Sequence, residues 1–154
     1  MNTKRINKEI KKYSQVNFTF ENFIIKPKLN DTSIWYFMIY NLQDTVYSDG
    51  IYIGKIILPK EYPFKAPDFV MLSDTGRFII NEKICTTFSS FHNETFSPSW
   101  TIETMCRALV SFMINPGEST DIGYLYSTSQ QKKQIALESQ TKIKNHEIYK
   151  KYFV

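Results

Sequence analysis

The chain has 154 residues, 42% of them hydrophobic and 22% charged, with a formal net charge of +4. Its 12 Phe, 10 Tyr and 2 Trp exclude a disordered composition, and its length suits one substantial core, so a single globular domain over 1–154 is expected. Two cysteines exclude a disulfide framework or a thiolate zinc cluster within the chain, and a basic, polar N-terminus with no long apolar run anywhere predicts a soluble, cytosolic protein.

In chain order, Ile6, Ile10 and Tyr13 recur at helical spacing among lysines, which predicts an amphipathic helix over 3–14. Its outer face carries Lys4, Arg5, Lys8, Lys11 and Lys12, and a charge run of this kind by itself specifies only a solvated face. β-branched and aromatic residues dominate 17–25 and 34–41, and the alternation of Val16, Phe18 and Phe20 fits a half-buried strand. Residues 51–58 predict a third strand after the turn Ser48-Asp49-Gly50, where Asp tolerates and Gly favours positive φ. A fourth, 69–72, follows a segment broken by Pro59, Pro63 and Pro67, and together the four read as an antiparallel meander.

The stretch 73–100 has little sustained periodicity, which inside a compact domain marks an irregular or functional segment. Thr101 then caps a predicted helix whose apolar face holds Ile102, Met105, Cys106, Leu109, Phe112 and Met113 and which stops before Pro116-Gly117. After another irregular stretch to Thr128, Ile135, Ala136, Ile143 and Ile148 mark one or two polar-faced helices. Helix, four strands, long loop and helices make an α+β domain.

The two thiols differ in setting. Cys106 lies on the apolar helix face and reads as a small buried hydrophobe. Cys85 sits in NEKICTTFSS, where a thiol is either structural or exposed and reactive, since reactivity follows access and thiolate fraction. A glycine-rich phosphate loop, HExxH and CxxC are all absent, and only His92 and His146 offer imidazole, which argues against metal and nucleotide sites. Cys85 with His92 suggests a cysteine hydrolase in which imidazole activates the thiol; alternatively His92 serves only to hydrogen-bond its own loop.

Tyr62-Pro63-Phe64-Lys65-Ala66-Pro67 followed by a loop to Cys85 resembles the ubiquitin-conjugating enzymes. The segment SDTGRFIINEKICTTFSSFHNETFSPSWTIETMCRALVSFM, with KKQIALESQ near the end, is similar to their J-type subfamily, tail-anchored enzymes of endoplasmic-reticulum quality control. The resemblance covers residues 8–152. It implies the ubiquitin-conjugating fold and a reaction in which Cys85 takes ubiquitin as a thioester from the activating enzyme and passes it to a lysine or a Ser/Thr hydroxyl. No cofactor is implied on this chain, because ATP is used by the activating enzyme.

The resemblance has departures. The usual His-Pro-Asn motif is missing, and Thr75 precedes Gly76-Arg77-Phe78 where the J-type pattern has Asn. Thr75 and His92 are therefore the candidate supporting residues, followed by Thr87 and Ser89, while Asp121 stands near the acidic position of other members. By matching position, Lys4, Arg5, Lys8 and Lys12 face the activating enzyme, and Pro63, Phe64, Pro98 and Ser99 face a RING-type ligase. The location implied is cytoplasmic, or the cytosolic face of the endoplasmic reticulum if a C-terminal anchor has been trimmed. A catalytically inactive adaptor that binds ubiquitin or a ligase is the main alternative. A nucleic-acid partner is not expected, because the positive charge is not concentrated in one motif.

Overall fold

The computed structural model describes residues 1–14, 20–115 and 122–154. Helix α1, Thr3–Tyr13, starts at Asn2, whose side-chain oxygen accepts from the Arg5 amide at 3.1 Å. It buries Ile6, Glu9 and Tyr13 along one face, as the spacing predicts. Val16, Phe18 and the expected strand start at 17 lie outside the described residues.

Four strands follow: β1 Phe23–Lys28, β2 Asp31–Ile39, β3 Tyr52–Ile57 and β4 Asp68–Met71. They form one antiparallel sheet in the order β1-β2-β3-β4, the expected meander. β1 starts later than its apolar run and continues through Pro27, beside a register irregularity at Pro27/Lys28. An edge strand tolerates this, because the amide that proline lacks is not needed on its open side. In the turn between β2 and β3, Asp49 takes the positive φ of 69°. Gly50 is needed there for space, since a Cβ would sit 2.0 Å from the Tyr52 hydroxyl oxygen.

The register sorts side chains into two sets. Phe23, Ile39 and Tyr52 form one row, Ile25, Phe37, Gly54 and Met71 the next, and Trp35, Ile56 and Phe69 a third. The apolar members of these rows belong to one core cluster, which also takes Ile6 and Tyr13 of α1 and the buried face of helix α2, Ile102–Ile114. Gly54 faces Phe37 because a Cβ there would come within 2.2 Å of the ring. Met38 and Ile53 point to the other side, together with Ile24 and Ile51.

That second face is also covered. Helix α3, Ser129–Lys142, opens with a capping box between Thr128 and Gln131, and a short 3-10 turn, Ile143–Asn145, leads into α4, Glu147–Tyr152. Ile143, Ile148, Tyr149 and Phe153 pack on Met38 and Ile53, and the Tyr152 ring lies 4.8 Å from that of Tyr36. Among the described residues, no helix is long and apolar enough to cross a membrane. The expected helix stop at Pro116-Gly117 and the expected position of Asp121 lie outside the described residues, although α2 itself ends at Ile114.

Candidate active site

β4 has β3 on one side, and its other side is taken by the chain coming back toward Cys85. The Ile84 amide donates to Phe69 O at 2.9 Å and the Asn81 amide to Met71 O at 2.9 Å. On the far side of this returning segment, Cys85 N donates to Ile122 O at 2.9 Å and Ile79 N to Gly123 O at 2.8 Å. The Cys85 backbone is thus fixed between two hydrogen-bonded neighbours. The long segment that lacks periodicity in sequence is held by main-chain bonds to partners remote in the chain, which is how an irregular loop satisfies its polar groups.

Directly after Cys85 the chain turns sharply. The Thr86 amide donates to Ser89 Oγ at 3.0 Å, Ser89 Oγ donates to Thr86 O at 3.0 Å, and the Ser89 amide donates to the same carbonyl at 3.2 Å. Inside the turn Phe88 drops into the core, edge-on to Phe69 at 5.2 Å and near Phe112 at 5.9 Å. A short 3-10 turn, Ser90–His92, carries the chain back. The return is pinned by Ser90 N to Pro67 O at 3.1 Å, by Ala66 N to Asn93 Oδ1 at 2.8 Å and by Thr95 Oγ1 to Thr87 O at 2.6 Å.

Seven residues after leaving Cys85, this path places His92 Nε2 3.2 Å from Cys85 Sγ. His92 Nδ1 lies 3.0 Å from Glu94 Oε1. Cys85 is only 9% exposed, whereas the His92 side chain is 42% exposed. The Glu94 carboxyl is held below its ordinary value, first by a hydrogen bond from its own backbone amide and then by the His92 side chain. A thiol with an imidazole at hydrogen-bond distance is an arrangement suited to nucleophilic acyl chemistry. Cys106 is the opposite case: full burial, with Glu9 and Glu103 nearby, pushes its thiol far above the ordinary value.

The other residues singled out in the sequence are distributed unevenly. Thr75 is fully buried, and its Oγ1 accepts from the amides of Arg77 and Phe78, both at 3.1 Å, so it closes the turn that Gly76 makes at φ 75°. Ser89 is likewise buried in its turn, whereas Thr87 is exposed. On α1, Lys4 and Lys8 are exposed, but Arg5 turns inward. Its guanidinium donates to Pro98 O at 2.7 Å and to Trp100 O at 2.5 Å. Lys12 pairs with Glu103 of α2 at 2.7 Å.

Of the two loop tips, Phe64 is 71% exposed while Pro63, after a cis peptide bond, is buried; Pro98 and Ser99 are exposed. Sequence reasoning missed two acidic residues here. Buried Glu9 accepts from the α2 amide of Ile102 at 2.8 Å and from the Tyr62 hydroxyl at 2.8 Å, so one carboxylate ties α1 to the bases of both loops. Its only sequence signal is an acid on the apolar stripe of a basic helix. Glu94 gives less, merely a position two residues beyond a histidine.

A family model described as "Ubiquitin-conjugating enzyme" matches residues 5–146. The chain is 33% identical over 135 residues to Ubiquitin-conjugating enzyme E2 J1 of Homo sapiens, covering 88% of this chain and 42% of that protein. It is 34% identical over 105 residues to Ubiquitin-conjugating enzyme E2 J2 of Homo sapiens, covering 68% and 40%. With Ubiquitin-conjugating enzyme E2 6 of Eremothecium gossypii it shares 33% over 136 residues, covering 88% and 54%. The chain therefore spans about half the length of these relatives or somewhat less. Among solved structures it resembles one assigned as a ubiquitin conjugating enzyme from Plasmodium yoelii, with a TM-score of 0.60, 23% identity and coverage of 73% and 72%. That last likeness concerns the fold.

Proposed function

The chain belongs to the ubiquitin-conjugating enzyme family, of the J type, and from that premise we propose that it accepts ubiquitin from the activating enzyme as a thioester on Cys85 and transfers it to a protein substrate. The observation that carries this reading is the 3.2 Å contact between Cys85 Sγ and His92 Nε2. The imidazole takes the thiol proton as sulfur attacks the incoming acyl carbon, and exchange between two thiols of similar leaving ability needs no cofactor on this chain. The ubiquitin tail then waits on a sulfur whose neighbour is a base.

The acceptor is a lysine or a Ser/Thr hydroxyl. The site's chemistry favours including hydroxyls, because an alcohol loses its proton only as it attacks and depends on a positioned base, whereas an amine attacks readily once neutral. Lys4 and Lys8 suit contact with the activating enzyme, and Phe64, Pro98 and Ser99 suit a RING-type ligase. Arg5 and Pro63 support those surfaces from within, since the one is hydrogen-bonded inward and the other buried, while Lys12 remains exposed and paired with Glu103. Protein quality control at the cytosolic face of the endoplasmic reticulum is the setting that the J-type likeness suggests.

The test is incubation with ubiquitin, activating enzyme and ATP, followed by a non-reducing gel. A reductant-sensitive adduct that Cys85→Ala abolishes is expected. If the activating enzyme loads a control protein but not this one, the chain is an inactive adaptor.

A further inference from the structure

The thioester reading needs one more thing of His92: that its Nε2, and not its Nδ1, be the bare nitrogen facing the acyl group. A neutral imidazole has one N–H, and which nitrogen carries it is set by the hydrogen bond the other side of the ring makes. Glu94 Oε1 stands 3.0 Å from Nδ1. An ionised carboxylate only accepts, so the contact requires the proton on Nδ1 and leaves the Nε2 lone pair directed at Cys85 Sγ. The lowered carboxyl of Glu94 agrees with its being ionised.

The backbone supports the geometry. Glu94 lies between Asn93, whose side chain accepts from Ala66 N and donates to Ser90 O, and Thr95, whose hydroxyl donates to Thr87 O and His92 O. The carboxylate is held by anchored neighbours although its own side chain is 68% exposed.

We propose that Glu94 is a positioning residue that fixes the reactive tautomer and orientation of His92, and so sets the rate at which an acceptor attacks the Cys85 thioester. This rests on the reading of Cys85 given above. In the step, the acceptor O–H bond breaks and its proton passes to Nε2 while the oxygen bonds to the acyl carbon. The carbon–sulfur bond then breaks, and the departing Cys85 thiolate recovers the proton, leaving thiol and neutral imidazole. Loading depends less on the pair, because a thiol gives up its proton far more readily than an alcohol does and so needs less help from a base.

The experiment preloads wild type, Glu94→Ala, Glu94→Gln, His92→Ala and the Glu94→Ala/His92→Ala double variant with ubiquitin, stops loading, and follows single-turnover discharge to free serine. Glu94→Ala is expected to discharge roughly tenfold more slowly, a part of the hundredfold or more that a positioned base contributes. The serine concentration giving half-maximal rate should not change. Glu94→Gln, whose amide oxygen still accepts from Nδ1–H, should recover part of the rate, and Glu94→Ala should add nothing once His92 is Ala. An exposed pair contributes little to folding, so these variants should stay folded.

Unchanged discharge in Glu94→Ala, or an equal loss with and without His92, would overturn the positioning role while leaving the thioester intact. Failure of wild type to load would overturn the thioester reading itself, and the role of Glu94 with it.

Discussion

Gly123 shows how one residue far along the chain constrains the backbone around Cys85. It takes φ 88°, and a Cβ there would stand 2.4 Å from Lys83 O and 2.8 Å from Ile84 Cα, against rigid backbone. Its neighbour Ile122 holds the Cys85 amide. Gly123→Ala should therefore displace the Cys85 segment, costing about 1–3 kcal/mol in chemical denaturation and slowing ubiquitin loading at temperatures where the protein remains folded. An unchanged loading rate would show that the Cys85 backbone is fixed without this contact. At this scale the sequence places Cys106 on a helical apolar face and Cys85 in an irregular segment, both local patterns, but it does not show that both thiols are buried. It says nothing of Glu94 or of the inward turn of Thr75, because the partners of those side chains depend on how a loop closes.

At the scale of elements, α1 is more than a basic face. Its one buried acid, Glu9, satisfies the first amide of α2, where the partial positive charge of a helix start favours a carboxylate, and also the Tyr62 hydroxyl. Glu9→Ala leaves both donors buried without that acceptor and should cost about 2–4 kcal/mol, read from denaturant midpoints. It should also loosen the Pro63–Phe64 and Pro98–Ser99 loops relative to each other, seen as weaker ligase binding than Lys8→Ala produces. A loss under about half a kcal/mol would mean that water replaces the carboxylate. The helix itself is legible from Ile6, Ile10 and Tyr13. That Arg5 reaches Pro98 and Trp100 is not, since those bonds join residues 93 and 95 positions apart.

The whole molecule is organised by a sheet covered on both faces. Trp35 to Ile39 of β2 are all buried, so the strand reads as a continuous apolar run and not as an alternation. Ile143 is the centre of the second cover, 2% exposed against Met38 and Ile53. Ile143→Ala should cost about 3 kcal/mol in denaturant unfolding, as for other buried Ile-to-Ala changes, yet leave loading intact, since none of residues 85–95 packs in that cluster. Loading lost in parallel with stability would instead show that the two sides of the sheet act as one unit. By itself the sequence determined the element types, the meander, the capped central helix and the placing of one thiol in an irregular segment, because periodicity and turn chemistry are local properties of the chain. Only the tertiary structure decided that the C-terminal helices cover the second face, that Arg5 and Thr75 serve the interior, and that Cys85, His92 and Glu94 meet. The cover on the second face and the reach of Arg5 depend on packing and hydrogen bonds between distant segments, which exist only once the sheet has brought them together. Thr75 and the Cys85, His92 and Glu94 group depend instead on how their own loops close, the latter loop being pinned by Ala66 and Pro67.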